Sequence, residues 1–265
     1  MKVQEPIEFV RDLLKRGRYS FTRTEAAAAL GREGAWLSQV LKRLSDAGWV
    51  KSFSRGFYIA LDVQHQGGGM LDPKWFVDEW ARYIGAEYYV AGLSAAALHG
   101  AAHQRPLAFQ VMVDRRLRSV RHKGFRMDTF YKEAIAPCMW GSMKSHAGYF
   151  RVGTPEMTAY DVVAYRRACP SLDHAATVMV ELGEALRVGE LKALGQHGCG
   201  TAQLQRLGWM LERVGWEEKC HGVEMALAGR RLTWRPLEPR IGSGGPRSER
   251  WHIVENTNVE PDIEL

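Results

Sequence analysis

Apolar residues recur with helical spacing in three short runs at the start of the chain. Between Pro6 and Arg16 they fall at Ile7, Phe9, Val10, Leu13 and Leu14, and Gly17 stops the run. Thr22-x-x-Glu25 is a capping box, in which each side chain satisfies an otherwise open backbone N–H, and it starts a second helix through the alanines to Leu30. The turn Gly31-Arg32-Glu33-Gly34 leads into a third helix, Ala35 to Ala47, whose apolar stripe is Trp36, Leu37, Val40, Leu41 and Leu44. Gly48 is its stop. Trp49–Phe53 and Phe57–Ala60 then read as strands around Ser54-Arg55-Gly56, a hairpin signal. Two helices across a tight turn, followed by a hairpin, predict a winged helix-turn-helix over residues 1–61.

Residues 62–72 (DVQHQGGGMLD) read as a linker, because three successive glycines are costly to hold in a regular element. Beyond it the pattern is mixed. Trp75–Ile84 and Ser94–His99 have helical character, and Tyr88–Ala91, Phe109–Val113, Phe125–Tyr131 and Tyr149–Val152 read as strands. Thr154-Pro155-Glu156 is a capped helix start, and helices follow over 155–166, 172–187 and 201–214. Leu232–Arg235 and Trp251–Val254 are expected to close the sheet. The expected fold class is α+β: the N-terminal winged helix-turn-helix followed by a mixed α/β C-terminal domain over 73–265 with an acidic tail.

Composition narrows the class. At 265 residues with 46% hydrophobic and 25% charged side chains, the chain can bury a core, which excludes a disordered or fibrous protein. Its longest stretch free of Asp, Glu, Lys and Arg, Tyr88–Gln104, is too short and too broken by glycine to cross a bilayer, so no membrane partner is expected. MKVQEPIEFV contains no apolar run of a secretory signal, and Cys138, Cys169, Cys199 and Cys220 stand singly; together these point to a reduced, cytoplasmic protein.

Charge is unevenly placed. Of the net +6, residues 1–60 carry a surplus of five positive charges and 105–132 a surplus of six, while 255–265 carry four acids and no base. Such clustering suits a polyanion. With the apolar stripe of the third helix turned inward, a helical projection turns Ser38, Gln39, Lys42 and Arg43 outward in two adjacent rows. Gln pairs bidentately with adenine and Arg with guanine, while Lys and Ser serve bases or phosphates. Arg32 in the turn and Arg23 at the start of the second helix stand where phosphate contacts are expected, and Arg55 at the hairpin tip reaches a minor groove or backbone. A solvated polar face, or a protein-binding helix-turn-helix, is the competing reading. Arg105, Arg115, Arg116, Arg118, Arg121, Lys123, Arg126 and Lys132, interleaved with Phe109, Phe125 and Tyr131, form either a second polyanion contact or ordinary solubilising charge.

No catalytic constellation holds together. Gly92-Leu93-Ser94 before Val111-Met112-Val113-Asp114 faintly follows a nucleotidyltransferase core, but Arg115 and Arg116 stand where a second metal-binding acid is needed. His99 and His103 are four apart across Gly100 with no third ligand, and the His197/Cys199 and Cys220/His221 pairs lack zinc-site spacing. No catalytic residue, metal or cofactor is therefore expected, and a divergent nucleotidyltransferase remains the alternative.

Three segments carry a resemblance: FTRTEAAAALGREGAWLSQVLKRLSDAGWVKSFSRGFYIA (21–60), YYVAGLSAAALHGAAHQRPLAFQVMVD (88–114) and YFRVGTPEMTAYDVVAYRRACPSLDHAATVMVELGE (149–184). The chain resembles the AbiEi family, the antitoxins of type IV abortive-infection toxin–antitoxin systems of phage defence. The resemblance implies a non-enzymatic protein whose winged helix represses its own operon by binding double-stranded DNA, with inverted repeats expected in the promoter. It implies a C-terminal domain supplying antitoxin activity against a nucleotidyltransferase-like toxin, without a stable complex.

Overall fold

A computed structural model of the chain describes residues 5–65, 70–101, 106–242 and 244–262. Its strands order into three sheets: β1 (Ser20–Thr22), β3 (Phe57–Ala60) and β2 (Val50–Ser54); a six-stranded sheet; and a small C-terminal one. The six strands are β4 (Tyr88–Val90), β5 (Phe109–Val113), β6 (Val120–His122), β7 (Phe125–Tyr131), β8 (Trp140–Ser145) and β9 (Gly148–Gly153), in the order β6-β7-β5-β4-β9-β8. The α+β class is as expected. Packing divides the chain into two compact units, and not by a linear split at 62–72: one holds Met1–Tyr88, Val113–Tyr131 and Ser142–Arg151, the other Tyr89–Met112, Lys132–Gly141 and Val152–Leu265. The expected linker glycines at 67–69, with His103 and Arg105, lie outside the described residues.

In the first unit α1 (Pro6–Lys15) opens on a proline and buries Phe9, Val10 and Leu13. α2 (Arg23–Leu30) starts at the expected capping box. Thr22 Oγ1 accepts from Glu25 N at 3.1 Å, and Glu25 Oε2 accepts from Thr22 N at 2.7 Å. Burial opposes ionisation of Glu25, but the Thr22 N–H and the Arg18 guanidinium outweigh it and hold the carboxyl below its usual range. Gly31, at φ +66°, ends α2. α3 (Gly34–Asp46) buries Leu37, Val40, Leu41 and Leu44 in a core shared with Phe9, Phe21, Leu30 and Val50. β2 and β3 pair antiparallel with an irregularity between Ser52 and Ser54, and β3 also pairs with β1. The three-residue β1 gave no periodic signal of its own. α4 (Val77–Ile84) follows a single tight turn at Pro73–Trp75, so the expected helix from Trp75 is broken at Phe76.

In the second unit α5 is Gly92–Leu98, and α6 (Pro155–Ala164) begins where Thr154 Oγ1 accepts from Met157 N at 3.2 Å. α7 (Leu172–Leu182) stops short of the expected 187. α8 (Val188–Ala193), α9 (Thr201–Arg213) and α10 (Glu217–Leu227) complete the helices. β10 (Arg235–Pro236), β11 (Arg247–Ser248) and β12 (Ile253–Val254) form their own sheet, β10-β12-β11, instead of extending the large one. The reason is packing. Trp251 is fully buried, its ring fills the space that a Cβ on Gly208 of α9 would need, and its Nε1 donates to Glu212 at 2.9 Å. The acidic end is docked, with Glu260 N donating to Asp173 at 3.0 Å and Asp262 N to Thr177 Oγ1 at 2.9 Å. Among the described residues no helix is long and apolar enough to cross a membrane.

Candidate nucleic-acid interface

α3 presents the residues that the helical projection turned outward. Ser38, Gln39, Lys42 and Arg43 are all exposed, opposite the buried stripe. Ser38 differs from the other three. Arg23, half-buried at the start of α2, donates from Nη2 to Gly34 O at 2.9 Å and to Ser38 Oγ at 2.8 Å, and Ser38 Oγ donates to Gly34 O at 3.2 Å. Arg23 and Ser38 therefore hold the first turn of α3 against α2. Gly34 stands at φ +68°, a conformation that side chains rarely adopt, so this entry into α3 needs glycine. The side chains of Gln39, Lys42 and Arg43 have no hydrogen bond or ion pair among the described residues.

Arg32 is exposed in the turn and its guanidinium stacks over Trp36 at 5.2 Å. Such a contact orients a cation without neutralising it. Arg55 is exposed at the tip of the β2–β3 hairpin, and its backbone is fixed: Tyr83 Oη donates to Arg55 O at 3.0 Å. A Cβ on Gly56, which stands at φ +78°, would collide with the same hydroxyl. Sequence reasoning missed Tyr83, since nothing local marks a tyrosine of α4 as the brace of a hairpin tip.

The second basic block divides in the same way. Arg115 donates to Ile84 O at 2.5 Å and to Gly85 O, and it lies 3.6 Å from Asp114. Arg116 stacks over Tyr131 at 4.4 Å, and Arg126 bonds Asp128 at 2.9 Å. Arg118, Arg121 and Lys123 are exposed and have no partner among the described residues. The stretch between β5 and β7 is not one open loop, because β6 pairs antiparallel with β7 and brings Arg121 opposite Arg126.

Lys132, counted with that block, is instead buried in the second unit, its Nζ 5.1 Å from the Tyr160 ring. Nearby Asp161 is fully buried. Tyr89 Oη donates to its Oδ1 at 3.4 Å, and among the described residues Oδ2 has no hydrogen-bond partner. Burial pushes its carboxyl up to about 7, against the lowering influence of Lys132 and the Tyr89 hydroxyl. Burial likewise pushes the Cys169 thiol up to about 12 and those of Cys199 and Cys220 up to about 11, which makes them poor nucleophiles. Cys138 Sγ lies 3.2 Å from His197 Nε2, so His197 meets Cys138 and not Cys199. His99 bonds the Gly153 carbonyl at 2.7 Å. Among the described residues no three His, Cys, Asp or Glu side chains converge to hold a metal ion.

Residues 89–213 match the model of the AbiEi antitoxin C-terminal domain. The crystal structure of the RV2827C protein from Mycobacterium tuberculosis is similar over 92% of this chain and 89% of that one, with a TM-score of 0.69 and 14% sequence identity. At that identity the likeness is one of fold. Among curated proteins none matches the chain.

Proposed function

We propose that this chain, an AbiEi-family antitoxin by its C-terminal domain, binds double-stranded DNA of its own promoter and represses its own toxin–antitoxin operon. In this reading residues 1–61 are a winged helix-turn-helix, and the partner is a nucleotidyltransferase-like toxin of a type IV abortive-infection system. The toxin is opposed without catalysis by this chain and without a stable complex. One observation carries the DNA reading: Gln39, Lys42 and Arg43 stand exposed and without a side-chain partner among the described residues, on a helix whose opposite face buries Leu37, Val40, Leu41 and Leu44. A helix so held can enter a major groove with Gln39 and Arg43 reading base edges and Lys42 on phosphate. Arg32 and Arg55 flank it as backbone contacts, and Arg23 and Ser38 position α3 for the approach.

Retardation and footprinting with duplex DNA from upstream of the gene test the reading. Gln39→Ala and Arg43→Ala are each expected to cost about 1–3 kcal/mol of affinity and to relax specificity at one base position. Arg55→Ala is expected to weaken all sequences alike and to make the salt dependence shallower by about one unit of log–log slope. Unchanged protection in all three variants would remove α3 and the wing from the interface. For the antitoxin role, co-expression with the toxin of the neighbouring reading frame is expected to restore growth.

A further inference from the structure

We infer that the β6–β7 hairpin is a second prong of the DNA-binding face, gripping the phosphodiester backbone beside the C-terminal end of α3. The inference rests on the reading of α3 as a DNA-binding helix and adds a contact that the winged helix by itself does not contain.

Its first support is rigidity. His122, the last residue of β6, lies with Nε2 3.1 Å from Phe53 O of β2, so that nitrogen carries the donated proton. Phe53 is at the centre of a ring cluster, with Phe125 of β7 at 6.0 Å, Phe76 at 4.9 Å and Trp80 at 5.8 Å between centroids. Edge-to-face packing of this kind fixes relative orientation as well as burying area. The hairpin is thus clamped to β2, within the unit that holds α3.

The second support is what the clamp leaves facing out. An open hollow of about 400 Å³ is lined by Ser45 at the end of α3, Lys51 and Ser52 of β2, His122 and Lys123 of the hairpin, and Met70. The Lys123 ammonium and the Ser45 and Ser52 hydroxyls around an open space suit a phosphate, which takes charge-assisted hydrogen bonds from all three. Ser45 continues the row of Lys42 on α3 at a spacing of three, so the hollow prolongs the exposed polar face of that helix.

The third is uncompensated charge. Arg121 stands opposite Arg126 across the hairpin, and like charges in register repel. Asp128 neutralises Arg126, whereas Arg118, Arg121 and Lys123 have no carboxylate among the described residues. Of the charged neighbours on the packed elements, Asp46 follows Ser45 and is exposed, and it lowers the local potential without pairing with these three. A bound polyanion supplies the countercharge that Arg118, Arg121 and Lys123 lack among the described residues.

The test is titration of the full-length protein with two duplexes, one from upstream of the gene and one of arbitrary sequence, across a salt series. For the Arg121→Ala/Lys123→Ala pair we expect weaker binding to both duplexes by a similar factor, a log–log salt slope shallower by about one unit per lost contact, and a footprint shortened on one side. Arg121→Lys/Lys123→Arg, which preserves charge, is expected to keep the wild-type slope, and far-ultraviolet circular dichroism checks that each variant is folded. If the alanine pair binds with wild-type affinity and slope while Arg43→Ala still weakens binding, the hairpin cations only guard an edge strand and the inference falls alone. If the wild-type protein retards neither duplex, the DNA-binding reading falls with it.

Discussion

α3 and α6 dispose of their polar side chains in opposite ways. α3 buries only Leu37, Val40, Leu41 and Leu44 and leaves Ser38, Gln39, Lys42 and Arg43 in water. α6 buries Glu156, Thr158, Tyr160 and Asp161 together with Met157, Val162 and Val163. Glu156 Oε1 accepts from Arg187 N at 2.8 Å, and the Tyr160 hydroxyl accepts from Gly200 N at 3.0 Å. The polar groups of α6 are turned into their own unit, whereas Gln39, Lys42 and Arg43 of α3 remain available to something outside. The same distinction sorts the basic block at 115–132: Arg115, Arg116 and Lys132 are committed inside the molecule, and Arg118, Arg121 and Lys123 are not. A count of positive charges therefore overstates a binding surface, and accessibility without an internal partner is the better guide.

If this contrast is right, the two units respond to different injuries. The largest effect is expected at Trp251, fully buried against Gly208 and bonded to Glu212. Trp251→Ala leaves a cavity and takes from Glu212 one of its two partners, Arg250 remaining, and about 3–5 kcal/mol of stability is expected to be lost in chemical denaturation. Duplex affinity, measured where the variant is still folded, is expected to stay at the wild-type value. A parallel loss of DNA binding would show that α3 depends on the second unit.

Next in size is a pH effect at Asp161. With its carboxyl held near pKa 7 in the fold and at the ordinary aspartate value when unfolded, the folded state retains a proton that the unfolded state releases. The stability of the neutral acid is complete below the unfolded pKa and is lost as pH rises through 7. Between pH 5 and 7 the wild type is expected to lose about 2–3 kcal/mol relative to Asp161→Asn, which has no such slope. Denaturation midpoints of the two proteins that run parallel across this range would mean that Asp161 is ionised in the fold, balanced by Lys132.

Local chemistry was legible in the sequence and distant chemistry was not. The capping box at Thr22, the glycine stops at Gly17 and Gly48, and Thr154-Pro155 place helix ends because the groups that cap a helix are its neighbours in sequence. The outward rows of α3 followed from periodicity alone. Strands near β10 and β12 were expected from the sequence, but their forming a sheet of their own was not, because that sheet is held by Trp251, next to β12, packing on Gly208 of α9, far earlier in the chain. α10 was missed because its charged first turn and Cys220-His221-Gly222 hide an apolar face packed on α8, where Gly222 permits close approach to Val188 and Leu191. The commitment of Arg23 to Ser38, of Arg115 to the carbonyls ending α4, and of Tyr83 to the hairpin tip each joins residues that no spacing rule connects.

The smallest expected effect is the most direct check on the contrast. Lys42 and Arg43 have no internal partner, so the Lys42→Ala/Arg43→Ala double variant removes only solvated side chains from α3. Alanine is at least as good a helix former as either residue, and surface changes of this kind stay within about 0.5 kcal/mol. The denaturation midpoint is therefore expected to be that of the wild type, while duplex binding collapses. A stability loss well beyond that range would mean that the two cations are held by the fold, and α3 would then resemble α6 in using its polar face for itself.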